Sequence, residues 1–325
     1  MAQQSPKTVE HEITVLAEAS AVYRFLSHVD TWPQVFPPTV HAETIERDGA
    51  EERIRIWATA NGEPKNWTSR RTIRPDELRI DFRQELSAAP VASMGGSWII
   101  EPLSASTSRI RLLHDYRAVD DDPAGLAWID EAVDRNSRSE LAALKESLEL
   151  VTADGALVSF EDSVQVDGSA KDVYDFLNEA GLWTERLPHV AAVRLQEPSP
   201  GLQTLEMDTR TKDGSTHTTK SVRVCFPHHR IVYKQSVLPA LMTLHTGYWL
   251  LAENAGGVQV TSQHTVAVNT ANITAVLGPE AGLAQAQEFV RTALSGNSRA
   301  TLGHAKAYAE ARRHPSRPGL EESPC

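Results

Sequence analysis

Residues 66–73, Asn-Trp-Thr-Ser-Arg-Arg-Thr-Ile, bring together the side chains best suited to chemistry in this chain. On a strand alternate residues share a face, so Trp67, Ser69 and Arg71 point the same way. An aromatic ring, a hydroxyl and a guanidinium on one face could hold a ligand rich in oxygen. A buried arginine is costly unless it is neutralised. We therefore expect Arg71 either to be paired with a carboxylate at the rim of a sheet or to face such a ligand.

The same pattern is repeated later in the chain. The segments Tyr23-Arg-Phe-Leu26 and Tyr174-Asp-Phe-Leu177 stand 151 positions apart, and Trp32 and Trp183 keep this spacing. A repeat of this length is a whole domain, far longer than the unit of a solenoid. The chain is therefore a tandem duplication.

The second copy retains only part of the polar strand. His217, Thr219, Ser221 and Arg223 occupy the equivalent face. The serine and the arginine are present in both copies, whereas Thr219 replaces the tryptophan of the first. We therefore expect the two copies to accept related but different ligands.

Further candidates for a ligand site are aromatic and imidazole side chains near these strands. They are Trp32, Phe36, Trp98 and His114 in the first copy and Trp249 and His264 in the second. For each aromatic residue the alternative is plain core packing. For each histidine the alternatives are a structural hydrogen bond and a role as general base.

A helical phrase beginning Asn-Ser-Arg also occurs twice, at residues 136–145 and 297–306. Asparagine is a mediocre residue inside a helix, so its placement indicates a function. We expect Asn136 and Asn297 to be buried, where the amide either satisfies buried backbone groups or binds a ligand oxygen.

Runs of period-two alternation predict short antiparallel strands in both copies. They lie at residues 9–16, 53–57, 66–74, 78–84, 92–100 and 109–116, and again at 163–166, 202–209, 215–225, 230–237, 241–252 and 258–268. Each copy ends in a long segment with apolar residues at helical spacing, residues 124–150 and 279–311.

A single antiparallel sheet must bury one face, and this long helix is the only element able to cover it. The sequence therefore predicts an α+β protein of two tandem domains, residues 1–152 and 153–313. Each is an antiparallel β-sheet curled around a long C-terminal helix with an internal cavity. A disordered tail is predicted at residues 314–325 because that segment is rich in proline and charge.

Composition excludes several classes of protein. With 32 Lys and Arg against 43 Asp and Glu, the net charge of −11 opposes nucleic acid. Apolar runs are too short for a membrane span, the first residues lack a signal-peptide pattern, and Cys225 and Cys325 are too few for a disulfide framework. We expect a cytoplasmic protein with no membrane contact. Motifs for covalent catalysis, metals and nucleotide cofactors are missing, so we expect no metal and no cofactor.

Three motifs together resemble those of bacterial polyketide aromatase/cyclases. They are Trp32-Pro33 followed by Phe36-Pro37-Pro38, the strand carrying Trp67, Ser69 and Arg71, and Asn136-Ser-Arg in the last helix. With the duplication, the chain resembles the di-domain type of this family, a member of the START-like (SRPBCC, helix-grip) superfamily. The resemblance covers about residues 8–312.

The resemblance implies a cofactor-independent enzyme of antibiotic biosynthesis in a type II polyketide synthase. Its substrate would be a poly-β-ketone chain tethered to an acyl carrier protein and already reduced at C9. The enzyme would close the first ring by a C7–C12 aldol reaction and then dehydrate it to an aromatic ring. We expect a monomer that behaves as an internal pseudo-dimer.

The resemblance also assigns roles to the residues of both copies. The catalytic set is Ser69, Arg71, Asn136, Ser221, Arg223 and Asn297, and the substrate-binding set is Trp32, Phe36, Trp67, Trp98, His114, His217, Trp249 and His264. No carboxylate is expected to face inward beside Arg71, which leaves water or His114 as the proton acceptor. The acidic carrier protein would dock on a basic patch around Arg70 and Arg74.

Two other functions stay open on the sequence alone. One is a non-catalytic module that binds a lipid or a polyketide-like hydrophobic ligand. The other is a pseudo-dimeric scaffold whose pockets are vestigial. Inward-facing arginines in both copies count against the first of these, because lipid-carrying cavities are mostly apolar.

Overall fold

The computed structural model describes residues 5–60, 62–151, 155–210, 214 and 216–313. The chain divides into two compact units between Gly155 and Ala156. The domain boundary expected after residue 152 lies at residues 152–154, outside the described residues, and so does the tail expected at residues 314–325.

The described part of the first unit holds one seven-stranded sheet and three α-helices. The strands are β1 (Lys7–Val15), β2 (Thr39–Asp48), β3 (Glu51–Ala60), β4 (Glu63–Arg74), β5 (Arg79–Gln84), β6 (Val91–Ser104) and β7 (Thr107–Ala118). The helices are α1 (Ala19–Ser27), α2 (Trp32–Val35) and α3 (Pro123–Val151). The sheet is antiparallel, in the order β1-β7-β6-β5-β4-β3-β2.

The described part of the second unit repeats this plan. Its strands are β8 (Leu157–Val166), β9 (Val190–Ser199), β10 (Leu202–Arg210), β11 (Thr216–Phe226), β12 (Arg230–Val237), β13 (Met242–Asn254) and β14 (Gly257–Val268). Its helices are α4 (Ala170–Asn178), α5 (Trp183–Arg186), α6 (Ile273–Leu277) and α7 (Leu283–Arg313). The order β8-β14-β13-β12-β11-β10-β9 matches that of the first sheet.

The long helix of each unit packs along the first and last strands of its own sheet. In the first unit Leu141, Leu144 and Leu148 lie at helical spacing and are buried in the main core with residues of β1, β6 and β7. The predicted fold class, two tandem sheets each gripping a C-terminal helix, is confirmed. The sequence analysis did not locate β2 and β9. In β2 the first four residues are all buried and the last five all exposed, so no alternation marks the strand.

One row of cross-strand partners spans each sheet and places its side chains on the face toward the helix. We call these the central rows. The first central row is Val9, His114, Gly96, Phe82, Arg71 and Glu52. The second central row is Phe160, His264, Gly247, Tyr233, Arg223 and Gln203. The duplication seen in the sequence therefore extends to individual register positions.

The glycine in each central row leaves room for the neighbouring aromatic ring. A Cβ at Gly96 would lie 2.7 Å from Phe82 Cζ, and one at Gly247 would lie 2.7 Å from Tyr233 Cζ. Both distances are too short for two carbon atoms. The same Cβ atoms would lie 2.0 Å from the Leu113 carbonyl oxygen and 2.2 Å from that of Gln263, so a larger residue would displace the neighbouring strand as well as the ring. The glycine lets the ring lie across the sheet toward the histidine of the row.

We predict that Gly96→Ala lowers the free energy of unfolding by about 2 kcal/mol, because the added methyl overpacks the row. Urea unfolding measures the change. The control is Gly296→Ala on α7, where a Cβ would have no neighbour within 4 Å. That variant should be stabilised by about 0.5–1 kcal/mol, because alanine is the better helix former. A Gly96→Ala variant as stable as the wild type would contradict the packing described.

Candidate functional site

Arg71 is 2% exposed, and both of its terminal nitrogens are bonded to protein groups, whereas its Nε is buried without a hydrogen-bond partner among the described residues. Its Nη1 donates to the carbonyl of Leu26 at 3.2 Å and its Nη2 to the carbonyl of Ser27 at 2.9 Å. It also forms a buried ion pair with Glu52, which is 3% exposed. Burial lowers the pKa of Arg71, and the carboxylate of Glu52 opposes that shift. The paired interpretation of Arg71 is therefore correct.

The expectation that no carboxylate faces inward beside Arg71 is wrong. Glu52 lies directly opposite Arg71 on β3 and also accepts a hydrogen bond from Arg47. Glu52 alternates with Ile54 and Ile56, so the strand pattern places it on the inward face. Only the register of β3 against β4 places it opposite Arg71.

The predicted aromatic walls form two groups in the first unit. The Trp32 ring lies 5.5 Å from the guanidinium of Arg71, and its edge meets Phe36 at 5.6 Å. Phe36 in turn lies 6.4 Å from Trp98. Trp67 instead packs with Trp32 on a separate cluster of β2 and β3 side chains. These rings connect the arginine to the main core.

Ser69 is buried and donates its hydroxyl hydrogen to the carbonyl of Arg83 at 2.9 Å. In the second unit Ser221 and Thr219 are also buried, His217 is half-buried, and Trp249 belongs to the main core. All of these predicted site residues lie on inward-facing positions of their sheets, as the alternation predicted.

The repeated helical phrase buries its serine and leaves its asparagine exposed. Asn136 and Asn297 are exposed, whereas Ser137 and Ser298 are buried. The expectation of a buried asparagine is wrong, and the amides do not satisfy buried backbone groups. The Ser298 Oγ lies 2.7 Å from His264 Nε2, and the Ser137 Oγ lies 3.5 Å from His114 Nδ1. Successive residues on a helix are turned by about 100°. The buried residue of each phrase is therefore the serine, one position after the asparagine that the sequence analysis expected.

Glu140 is a candidate that the sequence analysis missed. It follows Ser137 by three residues on α3, so the two side chains share a face. It also lies about 120° around the helix from Asp134, which pairs with His11 on β1. Glu140 is half-buried, and no hydrogen bond or charge among the described residues contributes to the shift of its pKa. Burial raises its pKa to about 7.

His114 is half-buried in the same interior. Its ring meets the edge of Phe82 at 5.6 Å. Burial, with a smaller contribution from His11, lowers its pKa to about 4. The imidazole is therefore neutral at pH 7, and Glu140 is the stronger proton acceptor of the two. Trp67, Phe82, His114 and Glu140 all face inward and keep accessible surface, which marks the space between helix and sheet.

Arg223 in the second unit keeps one part of this arrangement and lacks another. It is 3% exposed, donates to the Leu177 carbonyl at 2.6 Å and lies 5.4 Å from the ring of Trp183. Gln203 occupies the position of Glu52, so within the described residues Arg223 forms no ion pair. Its Nη1 is buried without a hydrogen-bond partner. The second unit therefore holds an interior guanidinium without an ion pair among the described residues. Burial lowers the pKa of Arg223, and the charge of Glu197 makes a smaller opposing contribution.

Other features bear on ligands and partners. Within the described residues, no three His, Cys, Asp or Glu side chains are grouped as metal ligands, and none of the helices there is both long and apolar enough to cross a membrane. The Arg70 and Arg74 side chains, expected to form a basic docking patch, are each 3.0 Å from a carboxylate, that of Glu85 and that of Asp81. Each carboxylate is shared with a second arginine, Arg53 for Glu85 and Arg79 for Asp81, so the two charges are only partly offset.

Comparison with known proteins identifies similar chains. The model of the family described as "Polyketide cyclase / dehydrase and lipid transport" matches residues 6–149 and again residues 158–310. The granaticin polyketide synthase bifunctional cyclase/dehydratase of Streptomyces virginiae is 53% identical over 90% of this chain and 97% of its own length. The actinorhodin polyketide synthase bifunctional cyclase/dehydratase of Streptomyces coelicolor is 44% identical, over 95% and 99%.

Two solved structures also match both units. The di-domain ARO/CYC BexL is 64% identical with a TM-score of 0.90, covering 96% of this chain and 100% of that one. The di-domain ARO/CYC StfQ is 34% identical with a TM-score of 0.85, covering 94% and 99%.

We predict that Glu52→Gln lowers the free energy of unfolding by about 3 kcal/mol, because it leaves Arg71 buried without a counter-charge. Urea unfolding of the full chain measures the loss. Glu46→Gln is the control, since the Glu46 side chain is 62% exposed and pairs with Arg53 at the surface. It should change stability by less than about 0.5 kcal/mol. Equal stability of the two variants would show that the buried pair does not stabilise the unit.

Proposed function

The chain belongs to the polyketide cyclase / dehydrase family and is an enzyme of it, and we propose that it closes and dehydrates the first ring of a poly-β-ketone. In this proposal the chain acts in a type II polyketide synthase on a substrate carried by an acyl carrier protein and reduced at C9. The ring closes between C7 and C12. The proposal is supported by relatives named as bifunctional cyclase/dehydratases that align along both units.

The inward carboxylate of Glu140 carries the proposal. A methylene between two carbonyls must lose a proton to become the nucleophile of an aldol closure. A general base works best when its pKa lies near the operating pH, and the pKa of Glu140 is about 7. Glu140 takes this proton, the resulting enolate carbon bonds to the target carbonyl carbon, and the new alkoxide is protonated. Glu140 returns that proton to the alkoxide, so the carboxylate is regenerated.

In this proposal Arg71 and Ser69 do not react with the substrate; they fix the shape and polarity of the surface that it contacts. Both already donate to backbone carbonyls, and Glu52 cancels the net charge of Arg71. The Trp32 ring stacked against Arg71 presents a rigid aromatic surface. Such a surface holds an extended chain flat, brings the reacting carbons together and excludes water. Asn136, exposed on the flank of α3 toward Glu140, is the proposed contact for a substrate carbonyl.

A role as a non-catalytic binding protein is disfavoured. Relatives that align along nearly the whole chain are named as enzymes. The interior of the first unit also holds the carboxylate of Glu140, and that of the second unit holds the guanidinium of Arg223. An apolar ligand would leave both without an added partner, at a cost.

Reconstitution tests the proposal directly. The minimal synthase, a ketoreductase and the carrier protein are combined with and without this protein, and products are identified by mass spectrometry. We expect the protein to replace a mixture of spontaneous products by one aromatised first ring. An unchanged mixture in the presence of folded protein would refute the proposal.

We predict that Glu140→Gln lowers the rate of ring closure about 100-fold, as expected for loss of a general base. The rate of the wild type should rise with pH through about 7, where Glu140 loses its proton. The control is Glu146→Gln, an exposed glutamate on the same helix. It should react like the wild type. A Glu140→Gln variant with an unchanged rate and pH profile would remove Glu140 from the reaction.

The same substitution should stabilise the fold at high pH. The folded-state pKa of Glu140 is about 7, above the value of 4.5 in the unfolded chain, so the folded state binds the proton more tightly. The stabilisation from the neutral carboxyl is full below pH 4.5 and is lost as pH rises through 7. Urea unfolding from pH 4.5 to 8 should show Glu140→Gln gaining stability relative to the wild type. A constant difference would contradict the raised pKa.

A further inference from the structure

The second unit contains a buried hydrogen-bonded cluster centred on His264. The Nδ1 atom of His264 lies 2.9 Å from the Tyr233 hydroxyl and 2.9 Å from His245 Nε2. Its Nε2 atom lies 2.7 Å from Ser298 Oγ and 3.3 Å from Ser262 Oγ. Phe160 stacks on the imidazole at 5.2 Å. Two imidazoles, a phenol and two alcohols thus form one continuous hydrogen-bonded network.

One polar atom of the cluster, the Nδ1 of the buried His245, has no hydrogen-bond partner among the described residues. Burial, aided by the proximity of His264, lowers the pKa of His245 to about 3, and burial lowers that of His264 to about 4. Both rings are therefore neutral at pH 7, and each carries one N–H. If His245 donates a hydrogen bond from Nε2, its Nδ1 can accept one from the hydroxyl of a ligand.

The first unit shows that the fold does not require this cluster. Phe82 stands where the second unit has Tyr233, with the same glycine beside it. By the same repeat spacing, Met94 corresponds to His245 and Leu112 to Ser262. The phenol, the second imidazole and the extra alcohol are therefore additions of the second unit, placed around a histidine that both units share.

Arg223 lies directly opposite Tyr233 in the second central row. Because Gln203 replaces the glutamate of the first unit, this guanidinium has no ion pair among the described residues, and Glu197 offsets its charge only from beyond ion-pair distance. A guanidinium without an ion pair favours a ligand that carries or develops negative charge on oxygen. The second unit thus combines proton sharing with a fixed positive charge, whereas in the first unit the equivalent charge is cancelled.

We propose that Tyr233, His245 and His264, beside Arg223, form a proton-relay site that dehydrates the cyclised, hydroxyl-bearing intermediate. The proposal rests on the proposed function of the chain. It assigns the second of the two reactions, dehydration, to the second unit. The hydroxyl of the intermediate donates to the free nitrogen of His245. The carbonyl oxygen next to the reacting carbon lies toward Arg223.

The reaction balances without any additional reagent. The relay accepts a proton from the carbon next to the carbonyl, and the enolate oxygen that forms is stabilised by Arg223. The relay then delivers a proton to the hydroxyl on the neighbouring carbon. The C–O bond breaks, water leaves, and a carbon–carbon double bond forms. One proton has been taken up and one released, so the relay returns to its starting state.

The first unit supplies the substitutions for the test, since its own residues show what the fold tolerates. Tyr233→Phe removes one oxygen atom, and His245→Met removes the second imidazole. In the reconstituted synthase each variant should raise the ratio of cyclised, undehydrated product to aromatised product at least about 10-fold, with the total of cyclised products unchanged. The undehydrated product is heavier by one water in the mass spectrum.

Ser236→Ala is the matched control on the same strand. Ser236 is exposed, and its hydroxyl donates to the Lys220 carbonyl at 3.3 Å, outside the cluster. This variant should give the wild-type ratio. Thermal unfolding confirms that each variant is folded, and Tyr233→Phe remains informative if His245→Met is unstable.

The outcomes separate the two proposals. Wild-type ratios from both folded variants would overturn the relay and leave the cyclase function intact. Equal loss of cyclised and aromatised products would also overturn it, because the cluster would then serve ring closure. A wild-type protein that changes no product would refute the function itself. Accumulation of the hydroxylated ring in the variants alone would establish the relay.

Discussion

The buried pair of Arg71 and Glu52 is the contact on which the interior of the first unit depends. The carbonyls of Leu26 and Ser27 end a helix inside the protein, where they need donors, and the negative end of that helix favours a cation. Arg71 supplies both and holds the ring of Trp32. Glu52 makes the buried guanidinium tolerable. One arginine thereby fixes two strands, a helix end and an aromatic wall.

The second unit keeps the contacts of the buried arginine with the helix end and the tryptophan, but within the described part of the chain it lacks the ion pair with a glutamate. Arg223 bonds to the carbonyl of Leu177 and stacks on Trp183, as Arg71 does with Leu26 and Trp32. Among the described residues, however, Arg223 has no ion pair, and polar groups surround the histidine of its row. The architecture is thus set by the contacts that both units share, and the chemical difference lies in a few positions of the central rows.

Much of this could be predicted from sequence, and the failures have physical causes. Alternation placed Ser69 and Arg71 on an inward face, because side chains on a strand have a period of two. Spacing between the copies identified the duplication. Pairing is different, since Glu52 meets Arg71 only through the register of two strands. Helix phase also failed: Asn136 and Ser137 are neighbours in sequence but lie on different faces, and Glu140 sits in a charged phrase that is typical of a solvent face.

The glycine in each central row has a consequence for how the two halves could diverge. Gly96 and Gly247 hold open the same volume beside the same histidine, so the ring that fills it always ends at the imidazole. Exchanging Phe for Tyr there adds one oxygen atom and displaces nothing. An ancestral duplicate could therefore acquire the phenol of the relay in a single codon change, before the other added groups. Because glycine has no side chain, this position of the row leaves space for either aromatic ring, and the two units could diverge there.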